Sequence, residues 1–304
     1  MTRLSIAGRI VLLAASLASP AIASAAQADT PSFANEVSKQ NAIYNSKGQD
    51  RPDGYVIDRG LMSYVIALPT EFKDSLSKLG EKDRWLDIGA GEGHAVMDYA
   101  TAKYDVVPAL ASRSGKRATA VAMSIEDRRT NQWYQTAAKL DGNQIQYLFG
   151  KRLRDYSSDE LGRFQMITDV IGGFSYAQDL TAFLQKTLSL LDVNGTFYTV
   201  LQDVNWENGS NKPHYPGESF LTEIKKADGS SMRVCEYLKS IGCVQVTCEA
   251  KADWTPPIEV YRIKKTCDAL SVPKLLPTQY TSGTPPERKY VLSDAPGEAV
   301  RASR

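Results

Sequence analysis

The chain has 304 residues, 42% of them hydrophobic, enough for one large domain with a substantial core. Its formal charge of +1 gives no general pull toward nucleic acid or an anionic membrane surface, so a nucleic-acid partner is not expected. With two histidines in all, a histidine-rich metal site is excluded and no metal is expected; neither a G-x-S-x-G elbow nor an H-E-x-x-H helix occurs.

Residues 1–28 read as a secretory signal peptide. Arg3 and Arg9 carry the early positive charge, Ile10 to Ala18 is an apolar run, and small residues follow to a cleavage point after Ala28. Removing this segment takes away two arginines and no acids, so the mature chain falls to −1. The run is too short and too alanine-rich for a stable membrane span. A periplasmic or secreted location is therefore expected. The four cysteines, Cys235, Cys243, Cys248 and Cys267, agree with it: their number is even, no C-x-x-C pair occurs, and their spacings match no common zinc pattern. Two structural disulfides are the preferred reading, and the sequence leaves three pairings open.

Residues 29–55 are polar and turn-rich and read as an arm, with Tyr44, Asp53 and Tyr55 within it. Residues 56–79 read as two helical pieces broken at Pro69. Trp85 to Ile88 is a short apolar strand, followed by glycines and a helix from about Gly93 to Tyr104. After an insert at 105–116, Arg117 to Ser124 gives a second strand and Glu126 to Leu140 a helix. Gln144 to Phe149 and Phe164 to Val170 give strands three and four. A helix at about Gln178 to Leu191, a turn at Asn194-Gly195 and a strand at Thr196 to Leu201 follow. Residues 202–230 form a polar insert holding Trp206 and His214, and 232–241 a helix. Val244 to Cys248 and Ile258 to Ile263 then read as an antiparallel hairpin. In that hairpin Cys243 could approach Cys267, leaving Cys235 with Cys248. Residues 269–304, rich in proline, read as a loose tail. Alternating strands and helices over 85–201 argue for an α/β fold, a mostly parallel sheet covered on both faces.

The stretch W-L-D-I-G-A-G-E-G-H, residues 85–94, carries the strongest functional signal. Glycines 89, 91 and 93 alternate after an acid, Asp87. A dinucleotide fingerprint would need glycine at 94 or 96, where His94 and Val96 stand, and a phosphate-loop lysine is missing. This pattern resembles the first motif of the class I, seven-stranded, S-adenosylmethionine-dependent methyltransferases. I-T-D-V-I-G-G-F-S-Y-A-Q-D-L at 167–180 resembles that family's fourth strand and its exit, and L-L-D-V-N-G-T-F at 190–197 its signature before strand five.

The resemblance implies a methyltransferase-like domain over 80–268, with a seven-stranded sheet ending in an antiparallel hairpin. It implies S-adenosylmethionine as cofactor and a small-molecule or protein acceptor. Asp87 would brace the loop, and Gly89, Gly91 and Gly93 would admit the methionine part. His94 would contact a ligand. Glu126, with Asp127 second, would take the ribose hydroxyls. Asp169 would be the base where one is needed, and Tyr176 would orient the acceptor. After strand three the family usually has an acid near the adenine amine. Here Gly150 is followed by Lys151 and Arg152, and Asp155 is the substitute further along.

Export sits awkwardly with a cofactor made in the cytoplasm. Two alternatives therefore stand beside the methyltransferase: an exported non-catalytic binding protein on this fold, and an enzyme of another class using the same crevice for another nucleoside.

Overall fold

The computed structural model describes residues 59–101, 117–142, 144–202, 220–251, 258–280 and 287–293. The expected signal peptide, the expected arm with Tyr44, Asp53 and Tyr55, the insert at 105–116, Trp206 and His214 lie outside them.

Two short helices open the described chain, α1 at Leu61–Ala67 and α2 at Glu71–Lys78, separated at Pro69 as expected. Strand β1, Arg84–Ile88, runs through the glycine loop into α3, His94–Thr101. Strand β2, Thr119–Met123, is followed by α4, Asn131–Ala137, and then β3, Ile145–Leu148. The helix after β2 starts five residues later than Glu126, because the Thr130 side chain caps it by accepting from the Trp133 amide.

A 3-10 turn at Leu153–Asp155 and one turn of α5, Ser158–Leu161, lead to β4, Phe164–Val170. Beyond it lie the single turn α6, Gly173–Tyr176, the helix α7, Leu180–Ser189, and the long strand β5, Leu191–Gln202. Asn194, at φ 71°, and Gly195 make an irregularity inside β5 rather than a turn before it: the pairing with β4 shifts register there. The second half of the chain adds β6, Phe220–Lys225, β7, Ser231–Met232, and α8, Val234–Lys239. It continues with β8, Val244–Lys251, and β9, Ile258–Lys265. The last strands are β10, Leu275–Tyr280, and β11, Glu287–Leu292.

The main sheet has seven strands in the order β3-β2-β1-β4-β5-β9-β8. The first five are mutually parallel, and β9 and β8 close the sheet as the expected antiparallel hairpin. Side chains alternate across it. Trp85, Ala120, Ala122, Met166, Tyr198 and Val260 pack under α1, α2 and α3. Leu86, Ile88, Val121, Ile167, Phe197 and Ile263 pack under α7 and α8 on the other face.

Two expectations are corrected here. Residues 275–280 and 287–292 are not a loose tail but paired strands, and β6 begins inside the expected polar insert. Together they build a second sheet of four strands, β10-β11-β6-β7. Its inner side chains, Ile224, Met232, Leu275 and Tyr290, join the core beneath α7 and α8, which is why these segments are ordered despite their weak apolar periodicity.

The cysteines pair Cys235–Cys248 and Cys243–Cys267, and none is free. The first bridge ties α8 to β8, and the second ties the start of β8 to the chain leaving β9. Among the described residues no helix is long and apolar enough to cross a membrane.

Candidate functional site

The strand order reverses between β1 and β4: the chain winds outward through β2 and β3, then returns to β4 on the other side of β1. In open parallel sheets ligands bind at such a switch point, beyond the carboxyl ends of the strands. Two loops meet there, the glycine loop after β1 and the turn after β4.

All three loop glycines have positive φ: 71° at Gly89, 58° at Gly91 and 80° at Gly93. Side chains resist that conformation, so the residue type follows from the backbone path. A second reason differs from one glycine to the next. A Cβ on Gly89 would stand 2.8 Å from the Cα of Gly172, across the crevice. A Cβ on Gly93 would press on Trp133, Ala122 and Tyr147 at 3.2–3.3 Å. Gly89 itself is exposed and Gly91 half-buried, so the bend is open to solvent on its rim. Opposite it, Ile171 has φ 58°, a left-handed conformation that is a genuine outlier for a β-branched residue.

Asp87 is 0% exposed. Tyr64 Oη of α1 donates to both of its oxygens, at 3.0 and 2.8 Å, and Thr168 Oγ1 of β4 donates at 2.7 Å. Trp85 Nε1 in turn donates to Thr168 Oγ1 at 2.8 Å. Burial pushes the Asp87 carboxyl up to about 7 against those hydrogen bonds. The carboxylate thus ties α1 to β1 and β4 at the strand end that leads into the loop. Neither Tyr64 nor Thr168 was a sequence candidate; nothing local links them to Asp87.

Asp169 follows a different course from the one expected of a base. It pairs in register with Ile88, one step beyond the Asp87–Thr168 pair. Alternation along the strands sends it to the sheet face opposite Asp87. It too is 0% exposed, and its oxygens accept from the amides of Gly172 at 2.7 Å and Phe174 at 2.8 Å. Burial raises its pKa to about 7, with the nearby Asp87 charge adding to the rise. A carboxylate closed off in this way caps the turn after β4. Tyr176 ends α6, and its side chain lies outside the described set.

His94 opens α3 directly after the loop and is partly exposed; its Nε2 lies 3.0 Å from Glu92 Oε2. Glu126 lies in the link after β2 and is half-buried. The Tyr147 hydroxyl links the Glu126 backbone to the loop: it donates to the Gly91 carbonyl and lies 3.4 Å from the Glu126 carbonyl. Asp127 is not available in the same way. Arg129 binds it through two nitrogens at 2.8 and 2.7 Å, and Tyr134 Oη donates to it at 3.2 Å, which holds its pKa below the usual carboxylate value. The Arg129 guanidinium lies 4.7–5.4 Å from the ring centres of Trp133, Tyr134, Tyr147 and Phe149. Sequence reading missed this cluster, although aromatic residues recur through 133–149. Asp155 caps the 3-10 turn by accepting from the Arg152 amide at 3.3 Å. Among the described residues no group of three or more His, Cys, Asp or Glu could hold a metal ion.

Sheet order, switch-point glycine loop and closing hairpin together define a class I methyltransferase-like fold. Searches for sequence relatives found no matching family model and no matching curated protein. Among solved structures, the chain is similar to the 1,6-didemethyltoxoflavin-N1-methyltransferase of Burkholderia thailandensis, at 12% identity and TM-score 0.46 over 79% of this chain and 93% of that one. It is also similar to an rRNA methylase from Streptococcus thermophilus (13%, TM-score 0.40, 64% and 95%) and to the N-methyltransferase NodS from Bradyrhizobium japonicum WM9 (11%, TM-score 0.39, 69% and 100%). At such identities a shared activity does not follow.

Proposed function

We propose that the chain is an S-adenosylmethionine-dependent methyltransferase acting on a small-molecule or protein acceptor. The observation that carries this reading is the loop Asp87-x-Gly89-x-Gly91-x-Gly93: three left-handed glycines at the switch point of a parallel sheet, with Gly89 and Gly91 open on the rim and Gly93 buried beneath them. Bare backbone there admits a ligand closely, and the first-turn amides of α3 suit its carboxylate. Glu126 is the candidate for the ribose hydroxyls. When bound, the sulfonium supplies an already activated methyl group. The protein's share is to align an acceptor with it and to keep water out. Where the acceptor must lose a proton, His94, oriented by Glu92, is the group at the rim, in place of the buried Asp169.

Export is part of the proposal. Four cysteines in two bridges suit an oxidising compartment, periplasmic or extracellular. A second reading, a non-catalytic binding protein on the same fold, is favoured by one observation: Asp87 and Asp169, the acids best placed by sequence, are both closed off from solvent. Mass analysis of ligand retained through native purification separates the two when combined with transfer assays. A retained methionine-bearing nucleoside together with transfer to an acceptor supports the enzyme. Retention without transfer to any acceptor supports the binding protein. Another nucleoside retained, or no nucleoside at all, contradicts the cofactor assignment.

A further inference from the structure

The second sheet reaches the candidate site through one buried cation. Arg288 of β11 is 0% exposed, and its Nη1 donates to the carbonyls of Phe174 and Ala177, both at 3.0 Å. Helix α6 is a single turn, so its last carbonyls have no partner within it; the guanidinium supplies one. Two further bonds run along the same seam. Tyr290 Oη donates to the Gln178 carbonyl at 2.8 Å, and the Leu275 amide donates to Thr181 Oγ1 at 2.8 Å. From the other end, the Asp169 carboxylate holds the amides of Gly172 and Phe174. Phe174 is therefore gripped at both ends of its own backbone, by an acid from the main sheet and a base from the second sheet.

The gripped segment is the wall opposite the glycine loop. A Cβ on Gly172 would stand 2.7 Å from the Ile88 carbonyl, and Ile171 just before it is held at positive φ. Such a conformation persists only where its surroundings over-determine it. No slack exists between this wall and Gly89, so a shift of α6 must move the crevice.

We infer that Arg288 is a positioning residue for the site: from the second sheet it fixes the 171–178 wall against the glycine loop. The inference rests on the reading that this crevice binds the nucleoside, and it gives the C-terminal strands a part in binding. A planar, permanently charged guanidinium suits that part, because a buried ammonium spans two carbonyls less readily and loses its charge more easily.

Two measurements on the full chain test it, amide hydrogen exchange and calorimetric titration with S-adenosylhomocysteine. In Arg288→Met with its circular dichroism retained, exchange across 171–178 rises while that of β2 and β3 stays as in the wild type. The dissociation constant rises about tenfold, the scale expected for losing hydrogen bonds from a charged group. Arg288→Lys recovers part of both effects. A folded Arg288→Met with wild-type exchange at 171–178 overturns the inference. So does faster exchange with unchanged affinity, which would make the clamp merely structural. If Arg288→Met does not fold, Arg288→Lys takes its place: exchange across 171–178 must still stand above the wild type, and wild-type exchange there overturns the inference. A wild-type chain that binds no S-adenosylhomocysteine removes the cofactor reading, while the exchange result still decides whether Arg288 sets this wall.

Discussion

Gly89 and Gly172 meet backbone to backbone across the crevice between β1 and β4: a Cβ on the first would lie 2.8 Å from the Cα of the second. Each belongs to a different loop, so their contact joins the two walls of the candidate site. The approach holds only while both positions lack a side chain.

Gly89→Ala is therefore expected to be costly in two ways. It places a methyl group against backbone that cannot yield, and it forces φ 71° on a residue with a Cβ. Together these destabilise the chain by about 2–4 kcal/mol. Chemical denaturation checks the figure. An alanine variant within about 0.5 kcal/mol of the wild type would mean the contact is loose.

The two buried acids set the pH dependence of stability. Asp87 and Asp169 each have a folded pKa of about 7 against 3.8 without burial, so folding takes up protons between about pH 4 and 7. Stability then falls as pH rises through that window and levels off above it. Glu160 has the opposite sign: its bonds to Lys151 and the Ser157 amide hold it at about 2, so its contribution is complete above its ordinary 4.5 and is lost as pH falls toward 2. The chain should be most stable between about pH 4 and 5. Urea midpoints should be higher at pH 5 than at pH 8, and Asp87→Asn should shrink the difference. A midpoint that climbs from pH 5 to pH 8 would contradict the burial of these carboxyls.

Much of this architecture was legible in the residues because the signals were local. The apolar run at 85–88, the alternating glycines and the amphipathic start of α3 lie within one short stretch, and the strand–helix rhythm carried the main sheet. What stayed hidden depends on distant partners. The tail strands carry Pro277, Arg288 and Lys289, which read as surface, since charged residues are seldom buried without a partner. Its bonds to the carbonyls of Phe174 and Ala177, more than a hundred residues away, show how Arg288 is accommodated inside. Asp169 stands out in the sequence, yet nothing in it tells that the carboxyl is buried against the amides of Gly172 and Phe174. Whether an acid ending a strand faces a ligand or caps the next turn depends on how the Gly172–Gly173 backbone folds back. The Tyr64–Asp87 bond likewise joins elements that no sequence period relates.

Disulfide status gives an independent check on the compartment. Thiol titration of the unfolded, unreduced mature chain should find no free cysteine, in keeping with bridges Cys235–Cys248 and Cys243–Cys267. Replacing Cys235 and Cys248 together by serine opens a loop with a sequence separation of 13, and should cost about 2–4 kcal/mol. Four reactive thiols in material taken from the native compartment would remove the main support for an exported fold.

The central claim is that the open glycine bend holds a methionine-bearing nucleoside. Calorimetric titration of the folded chain with S-adenosylhomocysteine, beside Gly91→Val, tests it most directly. Gly91 has φ 58°, so valine both strains the bend and fills its rim. Saturable binding near the micromolar range by the wild type, lost in a Gly91→Val chain that still folds, is the result expected. No heat from the intact wild type, or equal binding by both chains, would contradict it.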